Sequence, residues 1–162
     1  MTPKDVIKST IDMSHMVLTT YLGDLADEDL MNRPVPQANH IAWQLGHLIT
    51  SEHKMLSDAG IKMPDLPDGF AESYTKETSS SDDPSKFHKK AQYMEWMEQQ
   101  RAATLATLSS TPEADLDKAT PDSMKEYAPT VGAAFNMIGI HEMMHAGQFV
   151  AVRRKLGKPV LI

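Results

Sequence analysis

The sequence predicts an all-α protein, a four-helix bundle with a long crossover between its second and third helices. Three observations predict it. Four long segments carry apolar residues near the helical period, and three of them are closed by Gly. No segment reads convincingly as a strand. Two of the connections are too long for tight helix hairpins and suit crossovers that run the length of a bundle.

The first helix starts at Thr2-Pro3-Lys4-Asp5. Thr2 can cap, Pro3 suits the first helical position and Asp5 favours the positive helix end. The helix runs to Tyr21 or Leu22, before Gly23, with Val6, Ile7, Ile11, Met13, Val17 and Leu18 as its apolar positions. A short helical turn is expected over Asp27 to Met31, and Pro34 and Pro36 then break the chain. Asn39 is placed to cap the second helix, His40 to Ala59, which Gly60 closes. The crossover from Ile61 to Ser81 holds Pro64, Pro67, Gly69 and three consecutive serines. Asp83-Pro84 opens the third helix, expected from Pro84 to Leu108. A linker with Pro112, Pro121 and Pro129 leads to the fourth helix, Thr130 to Leu156, ended by Gly157 and Pro159.

A length of 162 residues fits one domain and is enough to bury a core without staples. There is no cysteine, which excludes a disulfide scaffold, an iron–sulfur or thiolate zinc site and a cysteine nucleophile. The net charge of −6, from 22 acidic and 16 basic residues, argues against nucleic acid as a partner. The basic cluster Arg153, Arg154, Lys155 lies at a helix end, where cations complement the dipole. No run has signal-peptide or membrane-span character, so the expected location is cytoplasmic, with no membrane partner. Most of the 12 methionines sit at helical spacing and read as core filler.

His141 and His145 are the residues that point to chemistry. Four apart on a helix, they share a face, so two imidazoles can converge on one ion. The expected stripe is Ala134, Met137, Ile138, Met144, Gln148 and Val152, apolar and facing inward. Two histidines on such a stripe need partners for their ring nitrogens; the competing reading is two ordinary core or surface histidines. The segment His141-Glu142-Met143-Met144-His145 also matches the H-E-x-x-H zinc-protease signature. Beyond His145 there is no further His, Asp or Glu to complete such a site, and no strand to align a peptide. Any third ligand must come from upstream: His15, His40, His47, His53 or His88. His47 lies mid-helix beside Gly46, which leaves room for a neighbour. His40 is nearly on the same face two turns away and is expected to line the same cavity, whereas His53 and His88 have charged surroundings and read as solvated. Glu52 falls within the apolar stripe of its helix, where a carboxylate needs a partner. It is a candidate for orienting a ligand histidine, or for a structural hydrogen bond. Glu142 is open to three roles: support for a ligand, a base, or an interhelical contact.

Ile41 to Leu48 (IAWQLGHL), Leu66 to Tyr74 (LPDGFAESY) and His141 to Gln148 (HEMMHAGQ), in this order, resemble the DinB-like superfamily. The resemblance implies one four-helix bundle domain over 1–162 and a three-histidine metal site on His47, His141 and His145. It further implies an enzyme of thiol S-transferase or hydrolase type. The alternatives are a non-catalytic metal or small-molecule binding module and, as a minor one, the H-E-x-x-H protease. The expected cofactor is one divalent transition metal, zinc or nickel first, with iron and copper also suited to imidazole. The expected partners are a small-molecule substrate, with a low-molecular-weight thiol among the candidates, and a second copy of the chain. Glu142 and Glu52 are the candidate catalytic groups. His40, Trp43, Gln148, Phe70 and Tyr74 are the expected pocket, the last two brought by a crossover that either covers the ion or simply pins itself to the bundle.

Overall fold

The computed structural model describes residues 1–162. Its long helices are α1 (Pro3–Leu22), α2 (Ile41–Asp58), α3 (Lys90–Ser110) and α4 (Val131–Lys155), with short 3-10 turns in the connections. The all-α expectation holds; the only strand-like pairing is an isolated bridge between Ala119 and Thr130.

Each helix start has a local cause. Thr2 accepts from the Asp5 backbone and Asp5 accepts from the Thr2 backbone, a reciprocal cap on α1. Thr130 caps α4 by accepting from Ala133 N–H. Two starts differ from the sequence expectation. His40, not Asn39, caps α2: its Nδ1 accepts from Trp43 N–H at 3.1 Å, and its Nε2 faces Ser81 O at 3.1 Å. The third helix begins at Lys90 rather than Pro84, which opens only the 3-10 turn Pro84–Lys86. The Asp27 carboxylate accepts from Lys90 N–H at 2.8 Å, so part of this helix's cap is supplied by the distant Asp27 turn.

The apolar core divides into two clusters. One gathers Leu18, Leu22, Leu45, Ile49, Tyr93, Met97, Phe149 and Val152, and the other Ile7, Ile11, Leu56, Leu108, Phe135 and Ile138. Every long helix passes from one cluster to the other, and between them each contributes polar groups: Ser14 and His15, Glu52, Gln100 and Thr104, and Glu142 with the α4 histidines. The bundle therefore has a polar belt at mid-height.

Close packing explains two glycines. A Cβ on Gly139 of α4 would lie 2.9 Å from the Thr10 backbone of α1, so the two helices meet almost backbone to backbone. A Cβ on Gly46 of α2 would lie 2.1 Å from the Tyr74 ring. Tyr74 thus pins the crossover onto α2 immediately beside His47, and its hydroxyl meets Tyr93 Oη and His88 Nδ1, each at 2.7 Å. His88 is therefore not solvated but half-buried among Phe70, Tyr74, Tyr93 and Trp96. Of the apolar positions of α1, Val6 and Met13 are exposed. Arg153 is fully buried, donating to Tyr21 O, Pro159 O and the Asp24 carboxylate, so it clasps the chain's end rather than forming a basic surface.

Candidate metal centre

His47 of α2 and His141 and His145 of α4 meet at the belt. One ligand-competent atom from each can be chosen so that all three lie within 4.8 Å of one another. His141 Nε2 and His145 Nε2 are 3.1 Å apart. That spacing suits two nitrogens bound at about 2.0–2.1 Å to one ion. The i, i+4 spacing on α4 aligns this pair, and Gly46 lets the crossover close down without displacing His47.

Burial holds the three rings in the form a metal needs. It lowers the pKa of His47; at His141, where His47 adds to the effect, the value falls to about 4, and at His145, with both other rings adding, to about 3. All three are neutral imidazoles at neutral pH. His145 Nδ1–H donates to Gln44 Oε1 at 2.8 Å, while Gln44 Nε2 donates to Asn39 O at 2.8 Å. The buried amide fixes the tautomer and leaves the His145 Nε2 lone pair facing the other two rings. The Trp43 ring stacks on His47 with centroids 4.8 Å apart and planes 9° from parallel, and Trp43 Nε1 donates to Thr75 O and Thr78 Oγ1 of the crossover. By these tests, converging nitrogens, neutral rings and an enforced tautomer, the residues fit a borderline-soft divalent ion.

The family follows from the chain as a whole. A model described as the DinB superfamily matches residues 10–149. The chain belongs to the DinB superfamily. A crystal structure described as a conserved protein from Enterococcus faecalis superposes on this DinB-superfamily chain with a TM-score of 0.69, covering 98% of this chain and 99% of that one at 15% identity. At that identity the likeness shows the fold alone. No curated protein matches the sequence.

The two candidate carboxylates differ. Glu142 turns toward α1: its Oε2 accepts from Ser14 Oγ at 2.7 Å, and its Oε1 lies 3.1 Å from His15 Nδ1. His15 Nε2 in turn meets Glu98 at 2.7 Å. Bonded chiefly to Glu142, His15 has a raised pKa, as befits an imidazolium between two carboxylates. Glu142 thus makes an interhelical contact, one of its three candidate roles, while also bordering the space beside His141. Glu52 accepts from Thr104 Oγ1 and is half-buried, and burial pushes its pKa up to about 7. A cavity of about 20 Å³, room for one water, lies between Glu52, His141 and Glu142.

The expected pocket is redistributed. His40 is buried as a helix cap, Phe70 and Tyr74 are core residues, and Gln148 and Met144 are exposed on α4 instead of facing inward. Of the five, Trp43 stacks on a candidate ligand, His47. His53 is half-buried and lies outside the cluster, as do His15, His40 and His88. The cleft beside the histidines, about 360 Å³, is lined by His47, Ser51, Lys54, Met55, Tyr127, Met137 and His141. None of these comes from the crossover. Gln44, Ser51, Lys54 and Tyr127 were not singled out by sequence reasoning. Gln44 was the one with a visible signal, an amide one turn before His47 in an otherwise apolar run.

Proposed function

We propose that this protein is a metal-dependent enzyme of the thiol S-transferase or hydrolase type, with His47, His141 and His145 holding one divalent transition metal. One observation carries the reading. Three histidines converge, no fourth His, Asp or Glu joins their cluster, and two of them border an accessible cleft. Three protein ligands beside an open space is the pattern of a catalytic site, whereas structural sites close with a fourth. The chemistry such an ion supplies when bound is Lewis acidity, which acidifies a water or thiol at its open face.

The chain's own residues do the rest. Gln44 orients His145, and the Trp43 ring holds the His47 ring parallel to its own face. Glu52, whose carboxyl pKa is raised by burial, faces the small cavity beside His141 and is the group placed to take up or return a proton there. With no cysteine in the chain, a thiol enters as cosubstrate.

The test is metal analysis of purified protein, followed by thiol-transfer and hydrolysis screens of wild type and His145→Ala with metal restored. Turnover that requires His145 supports the enzyme. Stoichiometric metal without turnover favours a non-catalytic binding module, a reading supported by the engagement of Glu142 with Ser14 and His15. The same engagement leaves the H-E-x-x-H protease reading without its free base.

A further inference from the structure

The cleft has a chemical polarity of its own. In a chain of net charge −6, no carboxylate lines it. Apart from the two candidate ligands and the Tyr127 phenol, its one ionisable lining group is Lys54. Lys54 follows His47 by seven residues on α2, two turns and about 10 Å along the axis, and its flexible stem can reach back toward the histidines. Met55, Met137 and the Tyr127 ring supply the rest of the lining, largely apolar, and the thioethers adapt readily to a guest. Ser51, one turn from His47, adds a hydroxyl.

Lys54 is bonded at present to Asp58 at 2.7 Å, as an i, i+4 pair in which the lysine side chain is 71% exposed. Pairs of this kind are weak, so the ammonium is open to a competing anion. A cleft of about 360 Å³ is at the small end of ligand sites.

We infer that the cleft recognises a small molecule with an anionic tail: a donor head at the histidines, a short apolar spacer along Met55, Met137 and Tyr127, and a carboxylate or similar anion at Lys54. This rests on the metal-site reading above and adds the substrate class. Ammonium is a point charge, so it selects for negative charge rather than for one anion's shape.

The experiment uses protein loaded with Co(II) and two probes of equal length, mercaptohexanoate and mercaptohexanol, titrated by the thiolate-to-cobalt absorption band. The carboxylate probe should bind about three- to ten-fold more tightly at low salt, with the advantage shrinking as salt screens it. Lys54→Gln should erase the difference, Asp58→Asn should widen it, and Lys62→Gln, outside the cleft, should leave it unchanged. Cobalt content should be equal in all four proteins. Equal affinities in the wild type, or a preference that survives Lys54→Gln, would overturn the anionic-tail assignment while leaving the metal site intact. Bound cobalt that neither thiol reaches would defeat the open-site reading and this inference together.

Discussion

Gln44 shows how much of the site depends on a single side chain that binds nothing itself. It accepts from His145 Nδ1 and is anchored by Asn39 O. Gln44→Leu keeps the volume and removes the acceptor, so metal affinity should fall about 10–100-fold, read by chelator competition. His47→Ala, His141→Ala and His145→Ala should each lose most bound metal, while His53→Ala and His88→Ala retain it in the folded protein; metal analysis decides. The α4 pair was legible in the sequence because a four-residue spacing fixes a shared face. The third ligand was not legible from spacing, since five upstream histidines competed and only the packing of α2 against α4 selects among them. Nor could a 100° offset from His141 say where Glu142 points, because that requires knowing that Ser14 and His15 of α1 lie there. Glu52 carries the clearest pH signature. Its folded pKa, about 7, exceeds the ordinary carboxylate value. The folded state therefore binds the extra proton between about pH 4.5 and 7, and stability contributed through Glu52 falls as pH rises across that window. Glu52→Gln should abolish this slope and gain on the order of 1–3 kcal/mol over wild type at pH 8, measured by urea unfolding at several pH values.

At the level of elements, α1 and α4 form the tightest contact, and Gly139 permits it. Gly139→Ala should cost about 1–3 kcal/mol by forcing the helices apart. Gly46→Ala should cost at least as much, because the Tyr74 ring it displaces is tied by its hydroxyl to Tyr93 and His88. Gly147, also in α4, faces open space: a Cβ there would meet no atom within 4 Å. Gly147→Ala should stabilise by about 0.5–1 kcal/mol through backbone entropy alone. Thermal melts of the three variants test the contrast. Helix number, order and most termini were legible because caps and breakers are local. The start of α3 was not, since Asp27, which accepts from Lys90 N–H, is more than sixty residues away. The faces of α4 were blurred for a related reason: with α1 packed so closely at Gly139, the buried positions include Phe135 and Phe149 and leave Met144 and Gln148 outside.

At the scale of the whole molecule, the site joins α2 to α4 across the belt, so metal binding and folding are linked. Saturating metal at about 100 times its dissociation constant should add about 2.7 kcal/mol, seen as a higher melting temperature that a chelator reverses. Without metal, the depressed pKa values of His141 and His145 make the folded state bind fewer protons than the unfolded chain from about pH 6.5 down toward 4. Stability from these groups is intact above about pH 6.5 and drains as pH falls through that range. The slope opposes that of Glu52, so it is best measured in the Glu52→Gln background. The belt has a further consequence, for uniqueness rather than strength. A helix that slid by one turn, about 5.4 Å, would carry a carboxylate or imidazole into an apolar half and bring leucine or isoleucine opposite the abandoned partner. An unpaired buried charge costs several kcal/mol, so the belt keeps the four helices in a single alignment that two uniform greasy halves would not enforce. A variant with Ser14, His15 and Glu142 all replaced by apolar residues of similar size should melt higher yet give broadened, duplicated amide resonances, the mark of several interchanging alignments where the native chain has one.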